Sequence, residues 1–184
     1  MIVLIIGLVT VILLIVWYRY AIQDVVLTLD GKVMYQLASG VINPNGTIKI
    51  EFDVKTTAES GTIFMMNSVS DPSYWNVSMK NGIIQWYGRR IPPPITSLQS
   101  VRRALINDNE FHRITLLRNG STYSISVDGI VDLHGDGKIG TFQQSPMYIG
   151  CKTDFTNFFI GQIKNIKYND RIIPIDSFTR HAMR

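Results

Sequence analysis

The sequence predicts an all-β antiparallel β-sandwich of jelly-roll type, preceded by a single N-terminal transmembrane helix. Two observations carry the sandwich: short segments in which apolar and polar residues alternate, and Gly- or Asn-containing turn dipeptides between them. A third carries the helix, an opening run without charge.

That run is Met1 to Trp17, whose only polar side chain is Thr10. About 20 apolar residues are needed to cross the hydrocarbon core, and the run reaches that length through Tyr18 and Tyr20 to Ile22. Arg19 interrupts it only at the end, where a long stem reaches the headgroups. Trp17, Tyr18 and Tyr20 cluster at the same edge, as amphipathic rings do at a membrane interface. Nothing basic precedes the run and no small-x-small triplet follows it, which argues against a cleaved signal. It is apolar all round, which argues against a surface helix. The expected organisation is an anchor at residues 1–22, with the lipid bilayer its partner through residues 2–22. A domain over 23–176 and a short basic tail over 177–184 follow. Arg19 and the α-amine are the only nearby charges, so orientation stays open.

The clearest strand is Ile48 to Val54, where Ile48, Ile50, Phe52 and Val54 alternate with Lys49, Glu51 and Asp53. Tyr74 to Lys80 repeats the pattern with Trp75, Val77 and Met79 on one face, and Gly82 turns the chain into Ile83 to Tyr87. His112, Ile114 and Leu116 share a face. The chain then turns at Asn119-Gly120 and returns as Tyr123, Ile125 and Val127, a hairpin pattern. Asp128-Gly129 supplies another turn. Val25 to Leu29 and Lys32 to Leu37 flank Asp30-Gly31 as an early hairpin, and Met147 to Ile149 and Ile160 to Tyr168 close the fold. Beyond the anchor no long amphipathic helix is expected; Val101 to Ile106 allows a turn or two. Pro92-Pro93-Pro94 suits a surface loop or sheet edge.

A net charge of +4, dispersed in both signs, gives no nucleic-acid footprint. The one cysteine, Cys151, allows no internal disulfide, which favours a reducing compartment. Asn45, Asn76 and Asn119 head sequons for N-glycosylation, although Asn45-Gly46 and Asn119-Gly120 are also ordinary turn dipeptides.

The most conspicuous recognition chemistry is Trp86, Tyr87, Arg89 and Arg90, followed by Arg102 and Arg103. Rings beside guanidinium groups suit sugars, anionic glycans or an acidic protein surface. They equally suit a core aromatic beside solvated charges. Glu51 and Asp53 share a strand face at a spacing that a retaining glycosidase could use, but Lys55 stands where a jelly-roll endoglucanase has its second glutamate. His112, His134 and His181 share no metal-ligand spacing with Cys151. The His134-Gly135-Asp136 loop lacks the order of an EF-hand.

The order of elements resembles laminin G-like domains of the concanavalin A-like superfamily. Phe111-His112 opens a strand, the next ends in Val127-Asp128-Gly129, Met147-Tyr148-Ile149-Gly150 resembles a later strand, and Phe159-Ile160-Gly161-Gln162-Ile163 the closing one. The resemblance covers roughly Ile48 to Ile175. It implies a concanavalin A-like jelly roll and a non-enzymatic module that binds carbohydrate or protein through rim loops or sheet faces. The family's C-terminal disulfide cannot form here. Its calcium site is not evident, Asp71 being the nearest candidate ligand, so no cofactor is expected. With the anchor, the leading expectation is a membrane-tethered recognition domain with protein or glycan partners. The alternative is a structural protein of a virus particle, a component of a larger assembly linking membrane and shell. A glycan hydrolase ranks third.

Overall fold

The computed structural model describes residues 10–12, 26–37, 47–67, 74–89, 95–99, 105–120, 122–136, 146–152 and 156–182. The strands are β1 (Leu27–Asp30), β2 (Val33–Leu37), β3 (Ile48–Lys55), β4 (Ser60–Asn67), β5 (Tyr74–Lys80), β6 (Ile83–Arg89) and β7 (Ile95–Gln99). They continue as β8 (His112–Asn119), β9 (Thr122–Val127), β10 (Ile130–Asp136), β11 (Met147–Ile149), β12 (Ile160–Tyr168), β13 (Arg171–Ile172) and β14 (Phe178–Ala182). Two seven-stranded sheets form. The first runs β1-β12-β3-β8-β9-β10 with β13 on β12, and the second runs β14-β2-β11-β4-β5-β6-β7. Every pairing between these strands is antiparallel.

Alternation explains the sandwich. Ile48, Ile50, Phe52 and Val54 on β3 meet Ile63, Phe64, Met66, Trp75, Val77 and Met79 from the second sheet in one continuous core. Tight turns set the registers. Asn81-Gly82, Asp128-Gly129 and Asn169-Asp170 each hold two consecutive residues at positive φ, the geometry of two-residue hairpins that match the strand twist.

Two expectations change. The early hairpin is not one: β1 pairs with β12 and β2 with β11 and β14, so Asp30-Gly31 carries the chain from one sheet to the other. The Asp30 carboxylate accepts the Lys32 amide at 2.9 Å and holds that corner. The segment read as a short basic tail is a strand, because β14 pairs with all of β2 and buries Phe178. Leu105 forms an isolated bridge to Ile83, and Ile106 is buried; the rest of the Val101–Ile106 turn lies outside the described residues. Strand β4 shows no alternation, because Gly61 to Met66 are all buried and a bulge between Thr62 and Phe64 breaks the period.

Of the expected anchor only Thr10, Val11 and Ile12 are described, and they are helical. No helix among the described residues is long and apolar enough to cross a membrane. The remainder of 1–22, and Pro92 to Pro94, lie outside the described residues.

Two of the motifs meet in one latch. The Asp128 carboxylate receives the Arg113 amide at 2.8 Å and the His112 Nδ1 at 2.8 Å, while His112 Nε2 reaches Asp108 at 2.9 Å. Positive φ at Asp128 turns this side chain back onto β8. Desolvation works against the charged ring, but the bonds to Asp128 and Asp108 outweigh it and hold His112 above its ordinary 6.5. The raised folded value gives the sign. The contribution is complete below pH 6.5 and is lost as pH rises through the folded pKa. The urea midpoint should therefore fall on raising pH through that range, and His112→Gln should flatten the dependence. A wild-type midpoint that rises with pH there would refute the latch.

Candidate functional site

The outward faces of the two sheets differ in chemistry. On the first sheet the outer face is ionic. The buried Asp53 carboxylate receives Arg113 Nε at 2.9 Å and Asn165 Nδ2 at 2.6 Å, and Glu51 pairs with Lys49 at 3.2 Å. Burial pushes the Asp53 carboxyl up, yet Arg113 and Asn165 outweigh it and hold the group below the usual carboxylate range. A retaining glycosidase needs one carboxyl raised into a proton donor. Asp53 is shifted the opposite way, and its oxygens are already engaged.

The second sheet's outer face is neutral, amide-rich and aromatic at its centre. Its register aligns Gln36, Tyr148, Met65, Asn76 and Tyr87 side by side across β2, β11, β4, β5 and β6. A groove of about 470 Å³ opens over β4, β5 and β6. Asn76 and Ser78, 5% and 7% exposed, line it, as do Tyr74, Gln85 and Tyr87. The Tyr87 hydroxyl donates to Gln85 Oε1 at 2.5 Å, which fixes the ring beside the groove. One end is closed by the segment after β11. There the Thr62 amide donates to the Asn157 carbonyl at 2.8 Å, and Asn157 Nδ2 donates to Thr62 Oγ1 at 2.9 Å. Lys152 and Lys80 also line the groove, and among the described residues no carboxylate does.

Asn76 Oδ1 is the distinctive atom. It is buried and accepts no hydrogen bond among the described residues. An unmet buried acceptor costs about 1–3 kcal/mol, and a donor entering the groove would relieve it.

The candidates from sequence divide. Trp86 is 2% exposed and belongs to the core, because residues on β6 alternate and only its neighbours Gln85 and Tyr87 face outward. Tyr87 is on the groove as expected. Arg89 is paired through its backbone with Tyr74 and Ile95, and its side chain lies outside the description. Arg90, Arg102, Arg103, Asp71 and Asn45 are outside the described residues. Asn76 is buried at mid-strand, so its sequon is not reachable for glycosylation in the folded domain. Asn119 ends β8 on an exposed turn. Among the described residues no cluster of three or more His, Cys, Asp or Glu could hold a metal. Cys151 is fully buried. The residues missed are Tyr74, Ser78, Lys80, Gln85, Lys152 and Asn157. The signal for the first three was the polar half of the Tyr74–Lys80 alternation, whose apolar half was used to find the core.

The fold agrees with known structures. Mouse laminin alpha1 chain domains LG4-5 superpose with a TM-score of 0.69 at 16% identity, over 81% of this chain and 43% of that one. The LG1-3 region of the laminin alpha2 chain gives 0.69 at 15% identity, over 87% and 35%. A heptameric SAP-like pentraxin from Limulus polyphemus gives 0.60 at 11% identity, over 84% and 79%. The chain thus spans less than half the length of either laminin fragment. Among curated proteins no sequence match is found. The laminin G domain family matches residues 54–171, well over half of the chain, and the protein belongs to that family.

Proposed function

We propose that this protein is a non-enzymatic recognition domain, held at a membrane by residues 1–22, that binds carbohydrate through the open face of its second sheet. Laminin G domains mediate protein or carbohydrate binding. The observation that carries the carbohydrate reading is the groove itself. It combines half-exposed tyrosines, amides and hydroxyls with a buried acceptor awaiting a donor. Sugars offer that surface an apolar ring face for the aromatics and hydroxyls for the amides. The uncharged run Met1 to Trp17 supports the tether.

The test is a glycan array probed with the full chain in lipid nanodiscs. Binding to a restricted set of glycans, weakened by Tyr87→Ala, is the expected result. Silence across the array would overturn the carbohydrate reading. Extraction of the full chain by alkaline carbonate would overturn the tether.

A further inference from the structure

We propose that the domain rests on the bilayer by the corner where β12 turns into β13, with Ile172 at the headgroup–acyl boundary and Lys167 and Arg171 against lipid phosphates. This rests on the tether through residues 1–22 and adds an orientation to it. The constraint is chain length. Only Gln23, Asp24, Val25 and Val26 separate Ile22 from Leu27, a reach of at most about 18 Å. Strand β1 points back toward this corner. It lies antiparallel to β12, with Asp30 opposite Ile160 and Leu27 opposite Ile163, and β13 follows further along β12 on the same side, with Ile172 opposite Lys167. Through Ile163, Leu27 is level with Val54 on β3. The β12–β13 turn is level with Lys49, whose carbonyl accepts the Asn169 amide at 2.8 Å. Val54 and Lys49 are five residues apart on β3, about 17 Å. The connection is thus about as long as the corner is tall, and a domain standing on this end has no slack to lift it clear of lipid.

The chemistry of the corner suits that contact. Ile172 is 53% exposed, beside the exposed Arg171. Lys49 takes both nearby carboxylates, Asp170 at 2.8 Å and Glu51 at 3.2 Å. Lys167 and Arg171 form no ion pair among the described residues. An apolar side chain flanked by cations is the pattern of an interfacial contact: the apolar group enters the acyl boundary and the cations meet phosphates. The turn is also stiff. The Lys49 amide donates to Asn169 Oδ1 at 2.8 Å, and the Ile173 amide donates to the Ile166 carbonyl at 2.9 Å, so Ile172 is presented on fixed backbone. Standing on this corner turns the other end outward. That end carries Ser60, Lys80 and Asn157, so the groove is offered away from the lipid.

The test is fluorescence quenching in nanodiscs of phosphatidylcholine and phosphatidylserine that contain nitroxide-labelled phosphatidylcholine. Cys151 is fully buried, so the full chain takes a thiol-reactive fluorophore at an introduced surface cysteine. Ile172→Cys places it on the corner, and Ile130→Cys places it at the opposite end, on a residue of similar exposure, 56%. The lipid nitroxide should quench the first label several-fold more strongly than the second. Adding Lys167→Glu/Arg171→Glu, or omitting phosphatidylserine, should reduce the quenching at the first position. Equal quenching at both positions, stronger quenching at the second, or quenching at the first that ignores the double charge variant would overturn the proposal. A first label shielded from both the lipid nitroxide and aqueous iodide would overturn it too, since a protein would then cover the corner. Alkaline carbonate separates the two readings. A chain that resists extraction but shows no quenching at the first position keeps its tether and loses only this orientation, whereas an extracted chain loses both.

Discussion

Trp86→Ala is expected to destabilise the domain by about 3–5 kcal/mol, a large share of the roughly 5–15 kcal/mol that holds a typical domain folded. The indole is 2% exposed and stands edge-on to Trp75 at 5.7 Å and to Tyr123 at 5.1 Å. Trp75 and Trp86 come from the second sheet and Tyr123 from the first, so the ring joins the two layers. The Arg118 guanidinium lies 5.5 Å from the Trp75 ring and adds a charge to the cluster. Chemical unfolding followed by circular dichroism measures the loss, and a cost below about 1 kcal/mol would mean that the ring is not packed as described. The next residue gives the opposite result. Tyr87→Ala should change stability little and ligand binding much, because its ring faces the groove.

Gly161→Ala is the second large expected effect, about 1–3 kcal/mol or more against folding. A Cβ there would collide with the Lys55 carbonyl oxygen and stand 2.8 Å from the Phe159 ring. The carbonyl is backbone and cannot rotate away, so β12 would have to move off β3. Such movement would also strain the 2.6 Å bond from the Thr56 hydroxyl to the Ile160 carbonyl. Thermal melting reads the effect, and an unchanged midpoint would show that the two strands have slack.

The same two positions show what was legible in the sequence. Gly161 was visible as a glycine in a strand beside Phe159, and close backbone approach is its physical reason. Trp86 was visible as an aromatic beside arginines, and that neighbourhood pointed outward while the strand period pointed inward. The period was the better guide: Gln85 and Tyr87 face out, so Trp86 faces in. Alternation revealed β3, β5, β8 and β9, but it could not reveal β4, which is buried on both sides. Nor could it reveal β14, whose place depends on backbone pairing with β2 and one buried ring, Phe178. The groove was least legible. Its floor comes from β5, its side from β6 and its end from residues after β11, and pairing across strands far apart in sequence brings them together.

Sheet order also constrains the time course of synthesis. Among the described strands β1 pairs only with β12, and β2 lies between β11 and β14. Strands β1 and β2 therefore wait for Met147 to Ala182 before either can be zipped into place. The middle of the chain has no such delay: β5-β6-β7 and β8-β9-β10 join neighbours in sequence. Nascent chains should thus carry hairpins early and an unmatched N-terminal pair late. Long-range closure of this kind slows folding. It also leaves two apolar strands open to a chaperone, or to a wrong partner, until Met147 to Ala182 have been made.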